Sequence, residues 1–326
     1  MDAISQKMNE ALKMKWDEAI CGLVGIFITP SGNGYEFHQK ELISKLTTLK
    51  PGKVTAKAPL QNGCDLKSNK SNEMDKEYLR HIGMLLYIAQ GSRPDICYSV
   101  SYLACFSMGT DESHWQALEH LIAYLRGMIE DKIIISEKEG DPDFNCFVDA
   151  NWGGEGNRSA QGFIIMHGGN PIAWKSKPQT TAKAEYIALS FAAKECLWLS
   201  NLFSNFLHNN TPFLLSDNRA AIGIATECVS RKQTQHLIRE LNIINEYLVQ
   251  KKINLKWIST KDQLANIFTK GIGPIAMKPF TKYLARIQQN VVLEGSVVNI
   301  LRYNLKNEYA YRKSNLISNI CKLARI

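Results

Sequence analysis

The sequence contains no apolar run of membrane-spanning length: CGLVGIFI and IGMLLYIA both fall far short of the ~20 residues that a spanning helix needs. Its opening residues, MDAISQKMNEALKMKWDE, are charged throughout and lack the apolar centre of a secretory signal. None of the eight cysteines, Cys21, Cys64, Cys97, Cys105, Cys146, Cys196, Cys228 and Cys321, forms a C-x-x-C pair. That excludes the usual zinc-ribbon and thiol-redox spacings and leaves reduced, mostly buried thiols. The stretch GGEGNRS lacks the Lys-Ser/Thr ending of a phosphate-binding loop and runs into a strand pattern, so it reads as a turn. His114 and His120 share a helical pattern without matching carboxylates, which argues against a zinc site. These absences lead to the expectation of an intracellular protein, neither secreted nor held in a membrane.

What the chain has is an ordinary soluble composition. With 326 residues, 45% of them hydrophobic and 21% charged, it is long enough to bury a sizeable core and to form two domains. A formal charge of +8 favours a polyanionic partner such as nucleic acid, although many soluble proteins carry as much without binding any.

Two differently organised regions follow one another. In the first, VGIFITPSGNGYEFHQ reads as a hairpin around Ser31-Gly32-Asn33-Gly34, with Asn-Gly supplying the positive φ. Tyr78, Ile82, Leu85, Leu86 and Ala89 recur at helical spacing up to Gly91. A second helix starts at Pro94 and runs through Ile96, Val100 and Leu103; a third opens at Thr110, carries Trp115, Leu118, Ile122 and Leu125, and closes at Gly127.

From about Ile133 strand patterns take over. KIIISEK and FNCFVDA are separated by the turn signal EGDPD, and AQGFIIMHGGNPIAWKSK forms a hairpin around Gly168-Gly169-Asn170. A long helical pattern then carries Ile187, Phe191, Leu199, Phe203 and Leu207 on its apolar stripe. After it come a strand PFLLSD, a short helix from Asn218, a longer one through QTQHLIRELNIINEYLVQ, a strand INLKWIS and a helix opening KDQLANIFTK. That order predicts an α/β fold, a mixed sheet flanked by helices.

Asp149 ends one of these strands and Asp217 another, and Glu185 lies in the first turn of the long helix. Three carboxylates from separate elements then converge at one edge of the sheet. Crowded like charges raise one another's pKa and are costly unless a cation neutralises them, and hard oxygen ligands suit Mg²⁺ or Mn²⁺. The plain structural alternative stays open: an Asp after a strand forms turns, and a Glu in a first helical turn complements the dipole.

The motifs VDANWGG, NPIAWKSK, AEYIALSFAAKECLWL, LLSDNRAAI and KDQLANIFTKGI, in this order, resemble the ribonuclease H domain at the end of the Pol polyprotein of copia-type LTR retrotransposons. Upstream, YLRHIGMLLYIAQGSRPDICYSVSYLACFSMGTDESHWQALEHLIAYLRG resembles the segment that follows the reverse transcriptase palm in the same polyprotein. The resemblance runs from about Gly22 to Gly271. It implies a ribonuclease H-like mixed sheet preceded by a small β-hairpin plus helical region derived from reverse transcriptase. The corresponding division is residues 1–135 (thumb- or connection-like), 136–273 (ribonuclease H-like) and an unassigned tail, 274–326.

It further implies hydrolysis of the RNA strand of RNA/DNA hybrids with two Mg²⁺ (or Mn²⁺) ions held by Asp149, Glu185 and Asp217. The partners implied are the hybrid or other nucleic acid and the rest of the Pol polyprotein, in a cytoplasmic virus-like particle or the nucleus. Lys175, Lys177, Arg231 and Lys232 are candidate phosphate contacts, and His236 matches a family T-K-H motif linked to product release. Trp152, Trp174, Trp198 and Trp257 read as core rather than as base-stacking platforms.

Three departures accompany the resemblance. The family's L-A-D-I reads LANI here, so Asn266 stands where a fourth carboxylate is expected, and the segment TTAK before Glu185 is shorter than usual. The Y-x-D-D pair of the polymerase is missing, so no polymerase activity is expected. These departures set two expectations against each other: a ribonuclease H impaired in this copy, or an inactive remnant that at most binds nucleic acid.

Overall fold

The computed structural model describes residues 21–271 and 273, apart from 33, 53, 62, 70, 72, 137–143, 152–158, 180–183, 204–210 and 228–237. Two sheets organise it. The first has four antiparallel strands in the order β1 (Gly22–Leu23), β2 (Ile26–Ser31), β3 (Gly34–His38) and β4 (Ile133–Ser136). Its central hairpin is the one expected, with Gly32 at φ +52° and Gly34 already in the strand; Asn33 lies outside the described residues. A side chain at Gly34 would strike the backbone of Ile135 and Ser136 on β4, so close approach is what requires glycine there.

Strand β4 corrects the sequence reading at this point. KIIISEK was grouped with the second region, whereas Ile133–Ser136 pairs with β3 and completes the first sheet.

Between β3 and β4 lie α1 (Lys40–Leu49), α2 (Lys76–Gly91), α3 (Cys97–Ala104) and α4 (Glu112–Gly127). Helix α1 was not anticipated, although Ile43 and Leu46, spaced for one face, are its buried residues. Pro94 opens a 3₁₀ turn, Pro94–Ile96, that leads into α3. The cap of α4 is Asp111, not Thr110: its carboxylate accepts from Ser113 N and His114 N, and His114 Nδ1 takes the Asp111 N–H at 3.0 Å. His120 Nε2 lies 3.0 Å from Ala58 O. Both histidines thus serve the fold.

The second sheet has the order β7-β6-β5-β8-β9: β5 (Phe144–Asn151), β6 (Ser159–His167) and β7 (Asn170–Gln179) are antiparallel, and β8 (Phe213–Ser216) and β9 (Asn254–Trp257) run parallel to β5. Helix α5 (Ala184–Phe203) crosses it, joined by α6 (Arg219–Glu227) and α7 (Ile238–Val249). This is the ribonuclease H-like mixed sheet. Gly168 and Gly169, at φ +53° and +71°, close the β6–β7 hairpin, as a two-residue turn of this hand requires.

The face of α5 departs from expectation. Its buried apolar residues are Ala188, Leu189, Ala192, Ala193, Cys196 and Leu199, while Ile187 and Phe191 are only half-buried. Small side chains at the centre of the stripe let the helix axis settle close to the sheet, with Leu189 and Leu199 buried and Phe191 packed at its margin. Leu207 lies outside the described residues.

Strand alternation gives the sheet two apolar faces. Cys146, Val148, Phe163 and Ile165 pack with α5, Leu214, Ile244 and Ile253. Ile164 and Met166 face the other way, into a core with Tyr78, Leu85, Val100, Leu118, Ile122, Ile267 and Phe268. The helices of the first region therefore pack on the second sheet. Trp174 Nε1–H donates to Ala89 O (2.8 Å), Ser101 Oγ to Ser176 O (3.0 Å) and Asn170 Nδ2 to Ser136 O (2.8 Å), fixing the two regions together.

Gly162 on β6 abuts fully buried Phe268 so closely that an added Cβ would overlap its side chain. Gly162→Ala is expected to destabilise the protein by ~1–3 kcal/mol through overpacking, read as a lowered urea midpoint; an unchanged midpoint would show that this contact is loose.

Candidate active site

Phe147 of β5 stands level with Leu215 of β8, and the same parallel register carried two residues on brings Asp149 level with Asp217. Glu185 is the second residue of α5, the helix that packs across β5. All three line one open cleft of about 600 Å³, together with Ala150, Asn218, Arg219 and Trp257. The three carboxylates expected from the sequence are thus brought to a common cleft.

Their electrostatics follow from this crowding. Asp149 is only 5% exposed, and burial, with the charge of Asp217, holds its carboxyl above the ordinary Asp range. The Thr269 hydroxyl bonded to its Oδ2, nearby Lys270 and the Ala150 N–H act in the opposite direction. Burial, followed by the charges of Asp149 and Asp217, pushes Glu185 up to about 7, against a hydrogen bond from the Asn218 side chain and the attraction of Lys270.

Among the described residues, no three His, Cys, Asp or Glu side chains stand close enough to hold one metal ion together. The acids share a cleft and a field without forming a closed cluster. Their donor chemistry, all-oxygen and anionic, fits a hard divalent cation, and burial together with the neighbouring charges raises Asp149 and Glu185. Asp149, Glu185 and Asp217 supply oxygen donors of that kind, although as placed the three do not surround one ion.

Several residues support the site. Asn218 caps α6 by accepting from Ala221 N at 2.9 Å, a role that its place before an alanine-rich helix does signal. Gln263 is buried and joins the ends of two strands: Nε2 donates to Val148 O (2.9 Å) and Leu215 O (3.4 Å), each two residues or fewer from a site aspartate. Its extended backbone also overturns the helix expected from KDQLANIFTK. Two 3₁₀ turns, Thr260–Asp262 and Leu264–Phe268, stand there, with Gln263 Oε1 accepting from Ala265 N (3.1 Å).

Asn266 lies in the second of these turns and is not among the residues lining the cleft. Its Nδ2 donates to Thr260 O at 3.2 Å, and its Oδ1 is buried with no partner among the described residues. Thr269 Oγ1 stands 3.1 Å from Asn266 O while bonded to Asp149, so the turn still reaches the site through Thr269.

Lys175 and Lys177 lie exposed along β7, beside a small crevice shared with Gln161, Phe163 and Phe191 and separate from the carboxylate cleft. Lys175 Nζ sits 5.1 Å over the Phe191 ring. Of the tryptophans expected in the core, Trp174 packs against it, but Trp198 and Trp257 are 47% and 43% exposed. Arg231, Lys232, His236, Trp152, the TTAK segment at 180–183, most of GGEGNRS and the tail after 273 lie outside the described residues.

No family model matches the chain. It is 25% identical over 301 residues to the Retrovirus-related Pol polyprotein from transposon RE2 of Arabidopsis thaliana, matching 88% of this chain and 20% of that protein. Over 209 residues it is 28% identical to the Retrovirus-related Pol polyprotein from transposon TNT 1-94 of Nicotiana tabacum, covering 62% of this chain and 16% of that one. The chain thus spans a fifth or less of the length of these relatives.

Among solved structures, ribonuclease H1 of Halobacterium salinarum aligns with 39% of this chain and 94% of its own, at 15% identity and a TM-score of 0.30. The foamy viral protease-reverse transcriptase in complex with RNA/DNA hybrid aligns with 83% of this chain and 32% of its own, at 12% identity and a TM-score of 0.42. At such scores the strand order, not the superposition, defines the fold. No helix among the described residues is long and apolar enough to cross a membrane.

Glu185 holds its proton more tightly in the folded chain than in the unfolded one, so its contribution to stability is complete below about pH 4.5 and lost as pH rises through about 7. In chelator, the unfolding free energy is expected to fall across that window by at most ~3 kcal/mol, and Glu185→Gln to flatten the fall. Parallel profiles for the two proteins would show that Glu185 is not under this repulsion.

Proposed function

We propose that this chain, similar to retrovirus-related Pol polyproteins of plant transposons, carries in its second sheet a copia-type ribonuclease H, which hydrolyses the RNA strand of an RNA/DNA hybrid. The observation that carries this reading is the common cleft of Asp149, Glu185 and Asp217. Residues 136–273 form the nuclease unit, residues 1–135 derive from the end of the reverse transcriptase, and 274–326 carry no assigned role. The partners are the hybrid and, in an intact element, the remainder of the polyprotein.

Asp149, Glu185 and Asp217 would hold two Mg²⁺ or Mn²⁺ ions, which when bound supply an activated water and charge stabilisation at the departing 3′ oxygen. The chain's own groups prepare the site. The Thr269 hydroxyl and the Ala150 N–H orient the Asp149 carboxylate, and Asn218 holds Glu185. Lys270 offsets part of the negative field. Gln263 ties the strand ends from which the two aspartates project. Burial of Asp149 limits bulk water at the reacting edge.

One observation favours an impaired copy or an inactive remnant. Asn266 supplies no charge, and its amide is turned to Thr260 within its own loop. An amide keeps an oxygen donor but loses the attraction that helps to retain a second cation.

The test is cleavage of a labelled RNA strand within an RNA/DNA hybrid by the purified chain, with Mg²⁺, Mn²⁺ or chelator. Metal-dependent cutting is expected, lost to background in Asp149→Asn and increased in Asn266→Asp. Cutting that survives Asp149→Asn would refute the carboxylate site. A folded chain that binds the hybrid but never cuts it, even as Asn266→Asp, would establish the inactive remnant.

A further inference from the structure

Arg219 opens α6 at the rim of the carboxylate cleft, where it is exposed. Its guanidinium lies 4.1 Å from the centroid of the Trp257 ring. Trp257 is itself fixed in place, donating its indole N–H to Asp217 O at 3.1 Å, yet it remains 43% exposed. Among the described residues Arg219 forms no ion pair, although three carboxylates line the same cleft. An exposed Arg beside acids ordinarily pairs with one; this one is held on an aromatic face.

Stacking consumes the flat face of a guanidinium and leaves its N–H edges free. Those edges match a phosphate in a two-pronged geometry that Lys cannot reproduce, and the stack reduces the entropy lost on binding. Placement adds to this. The cleft is acidic, so a polyanionic strand crossing it is repelled unless a fixed cation stands at the rim. The Trp257 N–H on the Asp217 carbonyl sets that cation in register with a site aspartate, two residues along the chain.

We infer that Arg219, stacked on Trp257, grips a backbone phosphate of the nucleic-acid strand that lies across the cleft. This rests on the ribonuclease reading and assigns its substrate contact to a pair that neither charge nor motif singled out. The contact is sequence-independent, because a phosphate carries no base information. It also separates Arg219 from Lys175 and Lys177, which stand on β7 beside a different crevice.

The experiment is binding of a fluorescent RNA/DNA hybrid across a salt series, in chelator so that no strand is cut. Arg219→Ala is expected to weaken binding about tenfold at low salt, the size of one charged hydrogen-bonded contact, and to make the slope of log affinity against log salt shallower by about 0.9. Arg219→Lys should keep the parental slope while losing part of the affinity.

Unchanged affinity and slope in an Arg219→Ala protein that melts at the parental temperature would overturn the inference while leaving the nuclease intact. Lowered affinity with an unchanged slope would assign Arg219 to packing and also overturn it. A parental chain that fails to bind the hybrid would overturn the ribonuclease reading itself.

Discussion

β5 and β8 run parallel in register, and two residues beyond the Phe147–Leu215 pair each carries an aspartate, Asp149 within β5 and Asp217 just past the end of β8. The pairing of β5 with β8 is the constraint from which the cleft follows. It brings Asp149 and Asp217 to one edge whatever their charges prefer, and α5, docked on β5, adds Glu185 to the same field. Burial at that edge, with the neighbouring charges, pushes Glu185 up to about 7 and holds Asp149 above its ordinary range. Such an arrangement is unfavourable in isolation, and a divalent cation is the simplest species that relieves it.

The remainder of the fold keeps that edge in place. The second sheet is apolar on both faces, so it is gripped by α5 on one side and by the helices of the first region on the other. Phe268, fully buried against Gly162, anchors the 3₁₀ turn that delivers Thr269 to Asp149. Gln263 satisfies carbonyls of β5 and β8 just behind the two aspartates. Each link passes packing from the core to the site, which is why the region upstream belongs to the same physical unit as the sheet it covers.

Much of this was legible in the sequence because it rests on local periodicity and on residues next to strand ends. The two hairpins, α2, α4 and the three acids follow from turn glycines, apolar spacing and position. What was missed depends on contacts distant in sequence. The pairing of β4 with β3 links Ser136 to Gly34 across the whole first region, and no local pattern reports it. The stripe of α5 was only partly placed: Leu199 is buried as expected and Phe191 and Phe203 pack at its margin, but alanines, Leu189 and a cysteine fill its centre. Gln263 has the side chain of an ordinary surface residue until its amide is seen between Val148 and Leu215. Trp257 looked like core because aromatic residues usually are, whereas its ring stands at the cleft rim under Arg219.

The central claim is that the three acids share one field that a divalent cation relieves. It is tested most directly by following the Glu185 carboxyl carbon by NMR across pH, in the isotopically labelled protein, with chelator and then with Mg²⁺. The account predicts a midpoint near 7 in chelator and a clear fall on adding Mg²⁺. A midpoint near the ordinary glutamate value of 4.5 in chelator, or one that Mg²⁺ leaves unmoved, would contradict it.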